Sequence, residues 1–242
     1  MILLSVGLVN LRKVIYLNNI YYPPQVFLEP LREVGLESTF ASIKKIEVKA
    51  HYQNDEISEP FVVSLVDRKL FDGVAILAYT IENNNPMIYL RSCVRPAAML
   101  RSYEDSQLPE GQDVGNFYEL PAGLIEEQEK GIDGIFSAAS RELWEEVGIK
   151  VEPKKFKNLG TRIFPMSGLC AERIFFVLAD VTGLPLDEPP GDGWYLEKYP
   201  SIQKISLIEA IKLSRQGYFP DAKTEIGIWR LGFELGIINE KK

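Results

Sequence analysis

Histidine and cysteine are the residues that this sequence has least of. Its 242 residues include one histidine, His51, and two cysteines, Cys93 and Cys170, which lie far apart with no second cysteine near either. A catalytic scheme that needs several imidazoles is therefore excluded, and neither a zinc knuckle nor a disulfide framework is indicated. Metal binding and proton transfer are left to carboxylates. The isolated cysteines favour a reducing, cytoplasmic environment.

The chain also lacks a surplus of positive charge and a long apolar run. Its 27 Lys and Arg against 34 Asp and Glu give a net charge of -7. This argues against a nucleic-acid partner, because binding to backbone phosphates needs clustered basic residues. The apolar opening Met1–Val9 is too short to cross a bilayer, so no membrane association is expected. We expect any nucleotide partner to be a small molecule.

Apolar residues, in contrast, make up 46% of the chain, enough for a large packed core. Residues 1–70 contain short strand-like runs, such as Val14–Leu17 and Phe61–Val66, separated by the Pro23-Pro24 turn and polar loops. They predict a small N-terminal β-rich unit. Residues 71–242 form the second predicted domain.

The second domain has the element order of a layered α/β fold. Two apolar runs joined by a turn-rich segment predict a hairpin, and later runs with helical spacing predict three helices, one of which ends at Gly148. An acidic, aperiodic stretch between the hairpin and the first helix predicts a surface loop. In chain order the predicted elements are strands Val74–Tyr79 and Met87–Leu90, loop Tyr103–Gly115, strand Phe117–Leu120, helix Ile135–Val147, strand Arg173–Val181, and helices Leu207–Arg215 and Thr224–Leu235.

Three glutamates are concentrated near the end of the first predicted helix. Glu142, Glu145 and Glu146 follow an i, i+3, i+4 pattern, which puts them on one face within a single turn. Like charges at this spacing repel by about 0.2–0.5 kcal/mol per pair, and anions are also disfavoured at a helix C-terminus. A hard divalent cation would compensate them, since Mg²⁺ takes oxygen ligands. The alternative is an ordinary solvated acidic face.

The residues around these glutamates resemble the Nudix box, a long and specific motif. Gly123 and Glu129 have the five intervening residues of the box, and Arg141 to Ile149, including Gly148, match its second half at every fixed position. The departure lies between the halves, where the eleven residues Lys130–Ser140 replace the seven of the family. We expect this four-residue insertion to enlarge the loop before the helix and to leave the helix in register.

The resemblance implies a Nudix-type α/β/α sandwich with a mixed sheet, and Mg²⁺-dependent hydrolysis of a pyrophosphate, with Mn²⁺ as a substitute ion. By resemblance, Glu142 and Glu146 are the principal metal ligands, and Glu145 binds a second ion or a coordinated water. Ala122 offers its backbone carbonyl. Arg141 is structural and pairs with Glu145 and with Glu129.

The general base must be another carboxylate, because His51 lies in the N-terminal unit. In the ADP-ribose pyrophosphatase branch of the family it comes from a loop that corresponds to residues 183–200 here. Glu197 and Glu188 are the first candidates for the base. The alternative for each of them is that it is an ordinary solvated acidic residue of the loop. The further candidates are Asp187, Asp192 and Glu172.

Several features resemble that branch, whose leading substrate is ADP-ribose. The run Glu119–Leu124 is typical of it, Pro165 corresponds to a family proline, and Arg68 and Arg95 correspond to arginines that hold the diphosphate. Surface ion pairs are the alternative for both arginines. The branch also implies a homodimer paired through the N-terminal unit, and aromatic stacking on the base by residues of that unit, with Tyr21, Tyr22 and Phe27 as candidates.

Two other functions stay open. A Nudix fold can bind a nucleotide as a sensor without cutting it, although such proteins usually lose glutamates of the box, and all of them are present here. The substrate can also be another nucleotide sugar or nucleotide, because the box positions only the diphosphate, whereas base and sugar are chosen by loops.

Overall fold

The computed structural model of the protein describes residues 28, 31–32, 40–100, 115–193, 195–197 and 200–239. Strands β1 (Ala41–Val48) and β2 (Phe61–Arg68) form a two-stranded antiparallel sheet, paired from Ala41 with Arg68 to Val48 with Phe61. β2 contains the strand predicted at Phe61–Val66. The strand predicted at Val14–Leu17 and most of the loop predicted at Tyr103–Gly115 lie outside the described residues.

The predicted hairpin is confirmed by strands β3 (Asp72–Glu82) and β4 (Asn85–Val94), which pair antiparallel. They are joined by Asn83 and Asn84, whose φ angles are 48° and 63°. Asparagine adopts this left-handed conformation more readily than most residues, and two such residues in succession match the right-handed twist of the strands that they join. The sequence of the turn therefore explains the register of the hairpin.

After helix α1 (Pro96–Met99), strands β5 (Asn116–Glu119) and β6 (Ala122–Leu124) bring the start of the box into the sheet. β5 pairs with β4, whereas β6 pairs with β3, and the amide of Ile76 donates to the carbonyl of Pro121 at 2.9 Å. The chain thus passes from one strand of the hairpin to the other at Leu120–Pro121. This fixes Ala122 and Gly123 at half-buried positions of the sheet.

Helix α2 (Gly131–Val147) carries the second half of the box and corrects the expectation of an enlarged loop. It begins four residues before Ile135, so most of the segment Lys130–Ser140 is helical. Gly134 packs so closely on Glu129 that a Cβ would lie 2.3 Å from the carbonyl carbon of Glu129. Because an α-helix has about 3.6 residues per turn, the insertion lengthens α2 by roughly one turn. The helix ends as predicted at Gly148, whose φ is 80°.

The remaining elements complete a seven-stranded mixed sheet. β8 runs parallel to β3, whereas β7 pairs antiparallel with β8 and β9 pairs antiparallel with β4. The prediction of the strand at 173–181 and of the two last helices is confirmed to within two residues at each end. These elements are β7 (Lys157–Asn158), β8 (Arg173–Asp180), β9 (Ile202–Ser206), α3 (Leu207–Arg215) and α4 (Ala222–Glu234), with short 3-10 turns at Pro153–Lys155 and Tyr195–Glu197.

Helices cover both faces of this sheet. Along β3, Val74 and Ile76 pack with residues of α2, whereas the alternate residues Ala75 and Leu77 pack with residues of α3 and α4. Successive side chains of a strand point to opposite faces, so an apolar residue at every position requires a core on each side. The result is a mixed α/β sheet with helices on both faces. No helix in the described part of the chain is long and apolar enough to cross a membrane.

Candidate active site

Arg141 organises the acidic end of helix α2. Its guanidinium donates to the carbonyl of Leu124 at 2.9 Å, to Glu129 Oε2 at 3.2 Å, and to Glu142 Oε1 at 2.6 Å. A longer contact of 3.4 Å reaches Glu145 Oε2. One arginine therefore ties the strand before the helix, the outlying Glu129 and two glutamates of the helix together, as the resemblance predicts. The contact with Glu129 also indicates that the longer helix has kept the register of the box.

Glu142 and Glu146 both face the segment Ala122–Gly123. The amide of Ala122 donates to Glu146 Oε2 at 2.8 Å. Gly123 leaves space for Glu142, because a Cβ at this position would lie 1.9 Å from the carboxyl carbon of Glu142. The glycine of the box is thus required by the close approach of a carboxylate. The contact observed at Ala122 is made by its N–H group, and the metal-binding role expected of its carbonyl stays a prediction.

Arg91 is a site residue that sequence reasoning missed. It lies in β4, with 3% of its side chain exposed, and forms an ion pair through Nη1 with Oε1 of Glu146, which is 7% exposed. A signal was present, because Arg91 directly follows the apolar run Met87–Leu90, at a strand position that faces the core. The spacing of residues along the chain gave no indication that the ion-pair partner of Arg91 would be a glutamate of the box.

The charges of the cluster decide whether a cation fits. Among the described residues, no three His, Cys, Asp or Glu side chains converge as metal ligands. The repulsion in the acidic face is instead relieved by arginines: the pair of Arg141 with Glu145 was expected, whereas its contact with Glu142 and the contact of Arg91 with Glu146 were not. Four carboxylates nevertheless share two guanidinium groups, which leaves two negative charges in excess within this set. The set is Glu129, Glu142, Glu145 and Glu146 with Arg91 and Arg141. Oxygen donors with this excess fit a hard divalent cation.

A second charged cluster surrounds Glu119, just before the box. This carboxylate is 1% exposed and accepts from Arg95 Nε at 2.7 Å, and it also pairs with Lys223, whose Nζ lies 2.9 Å from Asp221. Burial alone would raise the pKa of Glu119, but the hydrogen bond from Arg95 and the charge of Lys223 lower it to about 2. Two carboxylates and two cations balance here. Arg95, predicted to hold a diphosphate, is thus also paired within the protein.

The other predicted substrate residues lie near β2 and β8. Arg68 contacts Glu172 Oε1 at 2.5 Å and the carbonyl of Phe71 at 3.3 Å, so Glu172 is an ion-pair partner. Pro165 is exposed in the segment before β8. Its neighbour Phe164 helps to line a cleft of about 670 Å³ beside the box. The charged side chains that line this cleft are of both signs: Lys69, Lys130 and Arg173 with Asp72, Glu126, Glu127 and Glu129.

The loop that supplies candidate bases is attached to the end of α2. The amide of Asp187 donates to the carbonyl of Gly148, and the amide of Gly191 donates to that of Glu145, both at 3.0 Å. Asp187, Glu188 and Asp192 are exposed. Glu197 belongs to the turn Tyr195–Glu197, but the described structure does not include its side chain; Tyr21, Tyr22 and Phe27 lie outside the described residues altogether.

Comparison with known proteins adds evidence on the fold. No protein-family model and no curated protein matches the chain. Among solved structures, a protein described as an ADP compounds hydrolase matches with a TM-score of 0.59 and 16% identity, over 88% of this chain and 97% of that one. At this identity the likeness shows the fold alone. It supports the Nudix-like arrangement that the motif predicts.

Proposed function

We propose that this chain hydrolyses the pyrophosphate bond of a nucleoside diphosphate derivative, with ADP-ribose as the first candidate and AMP and ribose 5-phosphate as products. The observation that carries the proposal is the cluster at the end of α2, in which Glu142 and Glu146 face Ala122–Gly123 with negative charge in excess. The similarity in fold to an ADP compounds hydrolase agrees with this class of substrate.

Glu142, Glu145 and Glu146, with the carbonyl of Ala122, would hold Mg²⁺ or Mn²⁺. When bound, such ions neutralise the non-bridging phosphate oxygens and activate water. The part played by the protein is to fix these carboxylates. Arg141 holds Glu142 and Glu145 on one side, and the amide of Ala122 holds Glu146 on the other. The excess of negative charge would otherwise repel the diphosphate, so the reaction depends on the ion.

A carboxylate near the end of α2 would deprotonate the water that attacks the phosphorus. Glu188 and Glu197 are the proposed bases, because the segment 187–191 is hydrogen-bonded to Gly148 and Glu145 at this end of the helix. A base must come within hydrogen-bond reach of the water in the substrate complex. The backbone attachment of this segment keeps Glu188 close to the box.

The remaining assignments follow the resemblance. Arg68 and Arg95 would bind the diphosphate. Each arginine would then divide its N–H donors between its present carboxylate partner and the phosphate oxygens. Pro165 would lie beside the bound substrate. The cleft beside Phe164, which adjoins the box, offers space for the nucleotide. Residues 1–70, whose described part includes the exposed strands β1 and β2, are proposed to pair two subunits.

A second candidate is a nucleotide sensor that does not cut its ligand. The observation that favours it is the compensation of Glu142 and Glu146 by arginines, which lets the box fold without an ion. A sensor would bind ADP-ribose with Mg²⁺ present and return it unchanged.

A screen of nucleoside diphosphate derivatives with Mg²⁺, with chromatographic analysis of the products, tests the proposal. We expect AMP and ribose 5-phosphate from ADP-ribose, since attack at phosphorus leaves the glycosidic bond intact. Release of free ADP would contradict the assignment. So would rapid cleavage of triphosphates by a protein that cuts no nucleotide sugar.

A further inference from the structure

Arg91 is the one buried cation that contacts a proposed metal ligand in the described part of the chain and has no part in the proposed reaction. It projects from the face of β4 that packs toward α2, the face that also carries Tyr89. Its partner Glu146 comes from the last turn of α2. Both side chains are buried, so the guanidinium meets this carboxylate away from solvent.

Both oxygens of Glu146 are already engaged. Oε1 contacts Arg91, and Oε2 accepts the amide hydrogen of Ala122 at 2.8 Å. A divalent cation at Glu146 must therefore share Oε1 with the guanidinium or displace it. In a buried, low-dielectric site two cations at one carboxylate repel each other strongly, because little water screens them.

Arg91 and Arg141 differ in how easily each can give way. Arg141 is 28% exposed and divides its donors among four acceptors, so it can release Glu142 and keep other partners. Arg91 is 3% exposed, and its backbone is held between strands β5 and β9, which flank it in the sheet. A metal ion that binds at Glu146 must therefore work mainly against the guanidinium of Arg91.

We propose that Arg91 is a built-in cation that holds the Glu146 carboxylate in place in the metal-free protein and competes with divalent metal ions for it. The proposal rests on the metal-binding part of the proposed function. It makes Arg91 a positioning residue, because it acts through Glu146. Its consequence is a protein that folds without metal and binds the ion at Glu146 more weakly than the carboxylates alone would.

The test is Mn²⁺ affinity, measured by the loss of the free-ion electron paramagnetic resonance signal in the full chain without nucleotide. Arg91→Gln removes the charge and keeps an N–H donor for Glu146. We expect it to bind Mn²⁺ about tenfold more tightly than the wild type, because one competing unit charge is gone. Mn²⁺ should also raise the urea midpoint of Arg91→Gln more than that of the wild type.

Two control variants separate this effect from a change in net charge. Arg230→Gln removes a positive charge that contacts the carbonyls of Leu159 and Thr161, and its Mn²⁺ affinity should equal that of the wild type. Arg91→Gln combined with Glu146→Gln should lose the gain, because the contested carboxylate is absent. Arg91→Lys keeps the charge without the planar fork. It should show a gain smaller than that of Arg91→Gln.

Equal Mn²⁺ affinity in the wild type and Arg91→Gln would overturn the proposal, as would binding to neither. If Arg91→Gln does not fold, Arg91→Met, which also removes the charge, takes its place, and unchanged affinity in that variant has the same force. Hydrolysis of ADP-ribose by the wild type is measured separately. A gain in Mn²⁺ affinity without any hydrolysis would therefore reject the proposed reaction and keep the role of Arg91.

Discussion

The two charged clusters on either side of Leu120–Pro121 are built from the same residue types and differ in their balance. Around Glu119, two carboxylates meet two cations, and the central carboxylate is 1% exposed. At the end of α2, four carboxylates share two arginines, and the side chains of Glu145 and Arg141 are 30% and 28% exposed.

We interpret the difference as one between a mainly structural and a mainly chemical role. A charge-balanced network around a buried carboxylate is costly to disturb. A cluster with excess negative charge is less stable than it could be, and a divalent cation would compensate that excess. Variants of the first cluster should therefore affect folding, and variants of the second should affect activity.

The largest effect is expected from Glu142→Gln, which should lower kcat/KM for ADP-ribose by about 10²–10³, the usual cost of losing one group that stabilises the transition state electrostatically. The melting temperature should change little, because Arg141 keeps Glu129 and Glu145 as partners. Glu146→Gln is a less clean choice, since it would leave Arg91 buried without this carboxylate. Steady-state kinetics and thermal unfolding of the same preparation check the prediction. Loss of folding in Glu142→Gln would contradict the claim that the cluster at the end of α2 affects activity and not folding.

Glu119→Gln should have the opposite profile. We expect it to lower the free energy of unfolding by about 3 kcal/mol, because it removes the buried charge that Arg95 and the buried Lys223 share. Urea unfolding at neutral pH measures the change. Lys204→Gln is the matched control: it breaks the exposed pair with Glu82 and should cost less than about 1 kcal/mol.

The cost of Glu119→Gln should disappear in acid. The folded pKa of Glu119 is about 2, and that of an unfolded glutamate is about 4.3. A depressed folded pKa contributes stability above the unfolded value and loses it as the pH falls toward the folded one. The difference in unfolding free energy between the wild type and Glu119→Gln should therefore shrink from about pH 4.3 to pH 2. A difference that is constant over this range would show that the charge of Glu119 does not stabilise the fold.

Local sequence signals predicted the elements that local chemistry determines. Asn83 and Asn84 permit the tight turn of the hairpin, and Gly148 ends α2 in the left-handed conformation. The partners of Arg91 and Glu119 could not be predicted, because they come from distant elements; Lys223 and Glu119, for example, are 104 residues apart. The spacing of residues along one helix showed that the three glutamates share a face, but it did not show that Arg91 pairs with Glu146.

The insertion shows how tertiary packing overrides a local signal. Gly131 and Gly134 suggested a turn, because glycine permits tight turns at little steric cost. In the structure Gly131 does have a φ of 65°, yet it begins a helix. Gly134 is needed for its small size, because it packs against the backbone of Glu129. This contact between the helix and the preceding loop is not visible in a propensity scale.

Gly134→Ala tests this explanation with an effect of intermediate size. The added Cβ would lie 2.3 Å from the carbonyl carbon of Glu129, and backbone cannot move aside as a side chain can. We expect a loss of about 1–3 kcal/mol in unfolding free energy, as for other overpacked sites. Ser137→Ala, at a partly exposed position about one turn further along α2, should change stability little. Equal stability of the two variants in urea would mean that Gly134 is not held against Glu129.

Gly123→Ala should affect stability less than Gly134→Ala, although its steric contact is shorter. The added Cβ would lie 1.9 Å from the carboxyl carbon of Glu142, but this carboxylate is the end of a flexible side chain. It can rotate away, so the stability cost should be about 1 kcal/mol or less. Activity should fall together with Mn²⁺ affinity, because the displaced carboxylate is a proposed ligand. Full activity in Gly123→Ala would show that the position of Glu142 against Gly123 does not matter.

The most direct test of the central claim is hydrolysis of ADP-ribose by the wild type in Mg²⁺, in excess chelator, and after Mg²⁺ is restored. The account predicts AMP and ribose 5-phosphate with Mg²⁺, no product in chelator, and full recovery on return of the ion, because the carboxylates at the end of α2 need a cation to act on a diphosphate. Full turnover in excess chelator would contradict it.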